Sequence, residues 1–236
     1  MRDLHRHLPA DVTQRELEAT VAALSDDASV TGILLQLPLP PHLDARSAIS
    51  LIDADKDVDG LTGRSVARLA MNRPGLRPCT PSGVIALLDA YDVRIEGAEA
   101  VVVGRSDLVG RPQAQMLLER DATVTSCHKG TRDLCAACRR GDILVVAAGV
   151  RGLIGREHVK PGATVIDVGI HRTSRGLRGD VDFARVAPVA GLITPVPGGV
   201  GPMTIAMLLR NTVTAERLAR PAADESAART GSAGTC

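Results

Sequence analysis

The sequence predicts an α/β fold with a doubly wound parallel sheet, and two observations lead to this prediction. First, four short valine-rich runs follow residue 98, and such runs are typical of parallel strands that are covered on both faces. Second, segments with helical spacing lie between these runs, and this strand–helix alternation is typical of a doubly wound sheet. The runs occupy residues 99–104, 122–127, 142–149 and 163–169, and the helices between them occupy 111–120 and 131–140.

The residues before this alternation predict mostly helices. The expected elements are helices over 14–24, 44–53 and 63–71, a fourth helix that begins near residue 79, and one buried strand over 32–37. Asp44 is of a residue type that caps helix N-termini, so it is expected to begin the second helix. In "CTPSG", Thr80 is expected to cap the fourth helix, with Pro81 at its first position.

After the fourth valine-rich run, the sequence predicts a charged hairpin, a short strand and a long final helix. These elements are expected at 170–181, 190–193 and 202–217. Residues 219–236 are mostly small and polar, so they are predicted to be disordered.

The composition limits the classes of protein to which the chain can belong. Its 236 residues suffice for one large or two small domains, and a formal net charge of +1 argues against nucleic-acid or membrane binding by bulk electrostatics. No apolar run reaches membrane-spanning length and the first residues lack a signal-peptide core, so a cytoplasmic location is expected. The five cysteines are then expected to be reduced thiols.

The stretch "GILLQLPLPP" places one amide, Gln36, at the end of an apolar run. A polar side chain among apolar residues costs free energy unless it is hydrogen-bonded. The prolines at 38, 40 and 41 prevent a regular continuation of the strand, because each lacks a backbone donor. Gln36 is therefore expected at the mouth of a loop, where it either caps loop carbonyls or contacts a ligand.

The stretch "VVVGRSDLVGRPQAQ" predicts a phosphate-binding turn between a strand and a helix. Gly104 follows the strand directly and allows a tight turn, while Gly110 stands where the helix begins and offers its amide groups to an anion. Ser106 replaces the middle glycine of the usual G-x-G-x-x-G pattern, and the last glycine comes one place late. Taken alone, the pattern also fits an ordinary strand-to-helix turn.

The end of the second strand favours NADP over NAD as the cofactor. An NAD site is expected to show an acidic residue there, about 20 residues after the glycine turn. The sequence instead has His128, Lys129 and Arg132 at that place, and Arg105 in the first turn. Cations suit the 2′-phosphate of NADP. A solvated basic loop is the alternative interpretation.

Three further patterns invite a functional interpretation. "DADKDVDG" matches the first half of a calcium loop, but Val66 stands where a bidentate glutamate is needed, so no metal is predicted. A second pattern is a group of possible zinc ligands, but it lacks zinc-ribbon spacing: Cys127, His128, Cys135 and Cys138. The cysteines are interpreted as small buried thiols, and the histidine as a residue near the nucleotide. The glycines and prolines of "ITPVPGGVGPMT" either let the backbone approach a ligand closely or form an interdomain turn.

Together these stretches resemble the bifunctional methylenetetrahydrofolate dehydrogenase/methenyltetrahydrofolate cyclohydrolase family of one-carbon metabolism. The matching pieces are "GILLQLPLP", "DKDVDGLT", "LRPCTPSG", "VVVGRSDLVGRP", "DILVVAAG", "VIDVGI" and "ITPVPGGVGPMT", in family order between residues 8 and 217. Another Rossmann oxidoreductase would not explain "QLPLP" together with "TPVPGGVGP".

The resemblance implies two domains and two reactions. A folate-binding α/β domain would comprise residues 1–79 and 202–218, completed by the C-terminal helix, and a Rossmann-like NADP domain would comprise 80–201. The first reaction would move a hydride from 5,10-methylenetetrahydrofolate to NADP. The second would hydrolyse the resulting methenyl cation to 10-formyltetrahydrofolate. The family also suggests a homodimer.

The resemblance further assigns roles to individual residues. Gln36 would hydrogen-bond the folate and the catalytic lysine, and Asp59 would bind the pterin ring, so these two are the predicted catalytic residues. The other predicted contacts are with the cofactor at Gly104, Arg105, Ser106, Lys129 and Ile170, and with the substrate at Gln36, Leu37, Pro38, Asp59, Pro197 and Gly198.

One motif of that family, Tyr-x-x-x-Lys, does not occur in this sequence. Its lysine activates the methylene group in the family, and a positioned acid–base group contributes about 10²–10⁴-fold in rate. Three explanations stay open. The expected one is that Met1 lies inside a longer coding sequence. The others are a truncated relative that binds NADP or folate without turnover, and a residue that substitutes for the lysine.

Overall fold

The computed structural model describes residues 2–174 and 176–219. The helices are α1 (Gln14–Asp26), α2 (Ala45–Ser50), α3 (Gly63–Ala70), α4 (Cys79–Ala90), α5 (Gly110–Leu118), α6 (Leu134–Cys138), α7 (Phe183–Val186) and α8 (Val200–Ala219). The strands are β1 (Glu99–Val103), β2 (Thr123–Cys127), β3 (Ile143–Val146), β4 (Thr164–Asp167), β5 (His171–Thr173), β6 (Gly176–Arg178) and β7 (Leu192–Ile193). One turn of 3₁₀ helix, Arg156–His158, precedes β4.

Five of the strands form a parallel sheet in the order β2-β1-β3-β4-β7. The chain leaves β1 toward one side to form β2 and then returns to the other side to form β3. This reversal of direction is the topological switch point of a doubly wound sheet, and ligands bind such sheets in the crevice at the carboxyl ends of the strands. The predicted fold class is confirmed, as is the hairpin, which β5 and β6 form as an antiparallel pair.

The sheet is covered on both faces because alternate residues of each strand enter different apolar clusters. On one face, Val102 and Val145 pack with Leu88 of α4 and Leu117 of α5. On the other face, strand residues such as Val146 pack with α6 and the segment around the 3₁₀ helix. All four residues of β3 are buried, which explains why its sequence is apolar without alternation.

The predicted strand over 32–37 is wrong as a regular element. Only Ile33 is paired, through a parallel bridge to Asp57 in which the Ile33 amide donates to the Lys56 carbonyl at 2.7 Å. Leu34 is 44% exposed rather than buried. A strand needs a partner along its length, and among the described residues the bridge with Asp57 is the one ladder contact of this segment.

The predicted capping of α4 by Thr80 is also wrong. The helix begins at Cys79, and Pro78 occupies the N-cap position without a side-chain cap. Thr80 therefore lies inside the first turn, where its hydroxyl cannot occupy the capping position. Its Oγ1 atom instead lies 3.0 Å from Oγ1 of Thr204 in α8. The cap predicted at Asp44 is confirmed, because its carboxylate accepts from the amides of the first turn of α2.

The final helix α8 packs along α4 and begins two residues earlier than predicted. Gly83 of α4 allows this close approach, because a Cβ there would lie 2.9 Å from Cβ of Met203. Of the tail predicted to be disordered, Ala219 ends α8 and the remainder lies outside the described residues. No helix in the described part of the chain is both long and apolar enough to span a membrane.

The buried Asn211 fastens α8 to the first part of the chain. Its amide nitrogen donates to the carbonyls of Val58 and Arg77, each at 2.8 Å. We expect Asn211→Ala to lower the free energy of unfolding by about 2–3 kcal/mol, because both carbonyls lose their donor. Urea denaturation measures this change, with Thr214→Ala on the same helix as the control. Equal midpoints for the two variants would contradict the prediction.

Candidate active site

Two glycines shape the turn between β1 and α5. Gly104 has φ +122°, and a Cβ there would lie 2.1 Å from the carbonyl oxygen of Ala147, directly after β3. A Cβ on Gly110 would lie 2.3 Å from the carbonyl oxygen of Gly104. The turn therefore requires glycine at both positions, and it brings the ends of β1 and β3 and the start of α5 together at the switch point.

The side chains of this turn leave its outer surface open. The Ser106 hydroxyl accepts from the amides of Val109 and Gly110 at 3.2 and 3.3 Å, and Nε of Arg111 donates to the Arg105 carbonyl at 3.2 Å. Arg105 and Ser106 are both exposed. The first amides of α5 thus donate to Ser106, and the exposed Arg105 on the rim of the turn supplies a cation that can bind a phosphate group.

The predicted basic residues lie at the end of the neighbouring strand, β2. The Gly104 amide donates to the Cys127 carbonyl at 2.9 Å, so the loop that follows β2 adjoins the glycine turn. Lys129 and Arg132 are exposed in that loop. The acidic residue that follows, Asp133, caps α6 by accepting from the Ala136 amide at 2.8 Å. Its carboxylate is therefore committed to the helix rather than to a ribose.

Gln36 and Asp59 lie beyond the same end of a parallel pair. Ile33 pairs with Asp57 in parallel orientation, so the chain leaves this bridge in one direction toward both Gln36 and Asp59. The Gln36 side chain is exposed, and its Nε2 donates to the Leu37 carbonyl at 2.8 Å. This contact is the loop-capping role that the sequence left open, and the exposed face of the amide stays accessible. Leu37 is half-buried and Pro38 is exposed.

Asp59 is half-buried and lies near the thiol of Cys79. Loss of solvent raises the pKa of its carboxyl above the ordinary value, against the opposing effect of a hydrogen bond with the Cys79 thiol. Burial also raises the pKa of Cys79 to about 12, so the thiol is protonated, and its Sγ donates to the carbonyl of Val58, the residue before Asp59, at 3.3 Å. Sequence reasoning missed Cys79 and Asn211, whose amide lies 3.6 Å from the Cys79 sulfur. The available signal was a cysteine in the first turn of an apolar helix.

The loop before α8 presents the other predicted substrate contacts. Pro197 and Gly198 are exposed, and Gly198 adopts φ +100°, which favours glycine. The Val196–Pro197 and Leu37–Pro38 peptide bonds are both cis. The contact between Thr80 and Thr204 joins the starts of α4 and α8, so this loop, which leads into α8, lies near the start of α4.

An ion pair joins the first part of the chain to the glycine turn. Arg46 of α2 contacts Asp107, which lies between Ser106 and Gly110. Both side chains are more than half exposed. The contact places α2 beside the turn, although the described contacts bring neither Gln36 nor Asp59 into hydrogen-bond distance of it.

Most of the other polar clusters have structural partners. Asp57 accepts from the Thr62 amide and the Ser65 hydroxyl, each at 2.7 Å, and Asp55 pairs with Arg68 at 2.6 Å. The carboxylates of Asp57 and Asp55 therefore bond to neighbouring parts of the chain. Among the described residues, no group of three or more His, Cys, Asp or Glu side chains could hold a metal ion.

Sequence reasoning also missed two buried carboxylates beside Ile170. Asp167 ends β4 and Asp180 follows β6, while Ile170 between them is 61% exposed at the same edge of the sheet as the glycine turn. The signal for Asp167 was an aspartate inside the apolar run "ATVIDVG", since an acidic residue within a buried strand requires dedicated donors.

These features define the class of the protein: an α/β protein with a dinucleotide-binding domain, as in nicotinamide-dependent oxidoreductases. Comparison with known sequences identifies the family. The tetrahydrofolate dehydrogenase/cyclohydrolase NAD(P)-binding domain matches residues 78–220, and the catalytic domain of the same family matches residues 1–59. The chain belongs to the tetrahydrofolate dehydrogenase/cyclohydrolase family.

Individual relatives agree with this assignment. The bifunctional protein FolD 2 of Frankia alni is 65% identical over 219 residues, which cover 93% of this chain and 76% of that protein. The crystal structure of the bifunctional enzyme FolD from Campylobacter jejuni has a TM-score of 0.87 at 49% identity, covering 90% of this chain and 76% of that one. FolD of Trypanosoma brucei, solved with NADP and an inhibitor, has a TM-score of 0.85 at 44% identity, covering 91% and 76%.

Gly104→Ala tests the shape of the glycine turn. We expect the free energy of unfolding to fall by about 3 kcal/mol, because the variant combines backbone strain with a clash against the Ala147 carbonyl. The control is Gly97→Ala, which also has positive φ but has open space around the position and should cost about 1 kcal/mol. Guanidinium denaturation measures both. Equal losses would show that the close approach to β3 is unimportant.

Asp59→Asn tests the electrostatics of the half-buried Asp59 carboxyl. Because the pKa of Asp59 is raised in the folded protein, ionisation costs stability as the pH rises above the ordinary carboxyl range. The variant should therefore be more stable than the parent protein at neutral pH, with a difference that vanishes at acidic pH. Thermal unfolding across this range measures the effect. The control Asp55→Asn removes an ion pair and should not stabilise; a destabilised Asp59→Asn variant would refute the prediction.

Proposed function

We propose that the chain oxidises 5,10-methylenetetrahydrofolate to 5,10-methenyltetrahydrofolate with NADP and hydrolyses that product to 10-formyltetrahydrofolate. One observation carries the proposal: the same chain holds a glycine turn at the switch point of a doubly wound sheet, flanked by cations, and a half-buried Asp59 that lies beyond the same end of a parallel bridge as Gln36. Membership of the family, whose relatives include bifunctional FolD proteins, supports the same conclusion.

The residues of the glycine turn fit NADP. A Cβ at Gly104 or Gly110 would clash with neighbouring backbone, so the tight turn that would bind the phosphates can form only with glycine at both positions. Arg105 is exposed at the edge of this turn. In the proposed site, Gly104, Arg105 and Ser106 hold the pyrophosphate, and the Lys129 ammonium binds the 2′-phosphate. When bound, NADP accepts the hydride that the reaction releases. The exposed side chain of Ile170 packs against the nicotinamide side.

The proposed folate site uses Asp59 as its polar anchor. A half-buried carboxylate that has already lost part of its hydration can accept from adjacent N–H groups of a pterin ring at a lower desolvation cost. Gln36 offers the exposed side of its amide to the substrate. The apolar and backbone surfaces that complete this site are Leu37, Pro38, Pro197 and Gly198.

A second candidate function is binding of NADP and folate without turnover. The sequence holds three lysines, at positions 56, 129 and 160. Lys56 donates to the carbonyls of Ser25 and Asp27 at 2.6 and 2.8 Å, and Lys160 pairs with Asp142 at 2.6 Å. Lys129 lies beside the cofactor turn. None of the three stands in the role that the resemblance gives to the lysine of Tyr-x-x-x-Lys.

The formation of NADPH from 5,10-methylenetetrahydrofolate and NADP, followed by absorbance, distinguishes the two candidates. Turnover that is lost in Asp59→Asn while NADP affinity is retained would support the enzymatic proposal. NADP binding by calorimetry without turnover would support the second candidate. A chain that is folded by circular dichroism but binds neither NADP nor folate would overturn both.

We also propose the division into residues 1–79 with 202–218 and residues 80–201, and a cytoplasmic homodimer. The bonds from Asn211 to the Val58 and Arg77 carbonyls support the assignment of α8 to the first domain. Sedimentation equilibrium tests the homodimer, and a monomer at assay concentration would refute it.

Lys129→Ala tests the preference for NADP. Removal of one charge-assisted contact to the 2′-phosphate should weaken NADP binding about tenfold or more and leave NAD binding unchanged. Isothermal titration with both cofactors measures this, and Lys160→Ala is the matched control because its partner is Asp142. An equal loss of NAD affinity would show that Lys129 contacts a part common to both cofactors.

A further inference from the structure

Two buried carboxylates hold the loops at the carboxyl end of β4. Asp167 is 4% exposed and accepts from the amides of Gly169, Asp180 and Val181, each at 3.0 Å. Asp180 is fully buried and accepts from the amides of Ala148 and Gly149 at 2.7 and 2.8 Å. Each carboxylate thus receives the donors that a buried charge requires.

These contacts join three chain segments that are distant in sequence. Asp180 bonds the loop after β3, while Asp167 bonds the loop after β4 and the strand end that leaves the β5–β6 hairpin. The backbone is packed tightly around the carboxylates. A Cβ at Gly169 would lie 2.3 Å from Oδ1 of Asp180, and a Cβ at Gly179 would lie 1.8 Å from Oδ2 of Asp167. The three segments therefore form one assembly rather than independent loops.

His171 completes this assembly from the side of the hairpin. Its Nε2 lies 2.7 Å from Oδ1 of Asp180, and its side chain is 24% exposed. Because the Asp180 carboxylate already accepts two backbone amides through Oδ2, it is the acceptor here and the His171 ring is the donor. His171 directly follows Ile170, so the bond fixes the residue that projects from the end of the β4 loop.

The assembly lies on one side of the glycine turn. The strand order places β2, with Lys129 at its end, on one side of β1, and places β3 and β4 on the other side. A dinucleotide whose pyrophosphate binds at Gly104 and whose 2′-phosphate binds at Lys129 must extend its other half over the ends of β3 and β4. Gly149 lies after β3 and Ile170 lies after β4. Asp180 accepts from the Gly149 amide, and it also bonds to His171, the residue after Ile170.

We propose that His171 is a positioning residue that, through Asp180, holds Gly149 and Ile170 in place for the nicotinamide half of NADP. The inference rests on the proposed NADP site and adds a residue to it. His171 itself need not touch the cofactor, since its ring is directed to Asp180. Its loss should therefore weaken contacts with the nicotinamide half and leave the adenosine half unaffected.

The test compares two ligands on His171→Ala: NADPH, and 2′-phospho-ADP-ribose, which lacks the nicotinamide. We expect about a tenfold loss of NADPH affinity, because Gly149 and Ile170 are no longer held in the binding-competent arrangement, and no change for the fragment. Titration calorimetry measures both affinities, and the fluorescence of bound NADPH reports the surroundings of the nicotinamide. His171→Gln keeps a donor at a similar reach and should recover most of the affinity.

His158→Ala is the matched control. His158 is also a partly buried histidine, and its Nδ1 accepts from the Gly155 amide at 3.2 Å, but it precedes β4 at the opposite end of the strand. This variant should be less stable than the parent protein but should bind NADPH and 2′-phospho-ADP-ribose with unchanged affinities. Thermal unfolding of each variant shows that it is folded.

The outcomes separate the two proposals. If the parent protein binds neither ligand, the proposed NADP site fails, and the positioning role fails with it. If the parent protein binds both and His171→Ala weakens both equally or neither, the NADP site stands and the positioning role is wrong. Failure of His171→Gln to recover affinity that His171→Ala had lost would also overturn the role of the donor.

Discussion

The close approach of the backbone at the ends of β1 and β3 is the constraint on which the rest of this protein depends. At Gly104 the chain passes so near the Ala147 carbonyl that no side chain fits, and at Gly110 the first turn of α5 rests on Gly104 itself. The same contact orders the strands around it, since the turn lies at the switch point between β2 on one side and β3 on the other. The place of the basic loop follows from it, as does the direction in which the dinucleotide extends in the proposed NADP site.

The proposed folate site depends on polar contacts between helix ends rather than on a sheet. The thiol of Cys79, at the start of α4, donates to the Val58 carbonyl, and Asn211 of α8 donates to the same carbonyl. Thr80 contacts Thr204 at the start of α8. A carboxyl whose pKa is raised by burial is unfavourable for stability at neutral pH, and perturbed carboxyls of this kind are common at functional sites. If Asp59 binds the substrate as proposed, stability and ligand recognition oppose each other at this residue.

The sequence was sufficient for the sheet, the glycine turn and the basic loop because each has a local signal. Valine-rich runs report burial on both faces, and Gly104 and Gly110 stand where the backbone has no room for a side chain. The segment around Leu34 was predicted wrongly, since an apolar run does not reveal whether a neighbouring strand is present. Asp180 was missed because its backbone donors, the amides of Ala148 and Gly149, lie 32 and 31 residues away in sequence, and their contact with Asp180 is visible only in space.

The burial of β3 has a consequence for the dynamics of the cofactor site. All four residues of β3 are at most 1% exposed, and the strand is paired on both sides. Segments of this kind open only with the whole domain, so their amide hydrogens exchange slowly with solvent. Because Ala147 directly follows β3 and packs against the glycine turn, we expect the amide hydrogens of the turn to exchange slowly as well. Gln36 and Pro197 lie in exposed loops that, among the described residues, are not bonded to β3, so the amide hydrogens of these loops are expected to exchange faster than those of the glycine turn.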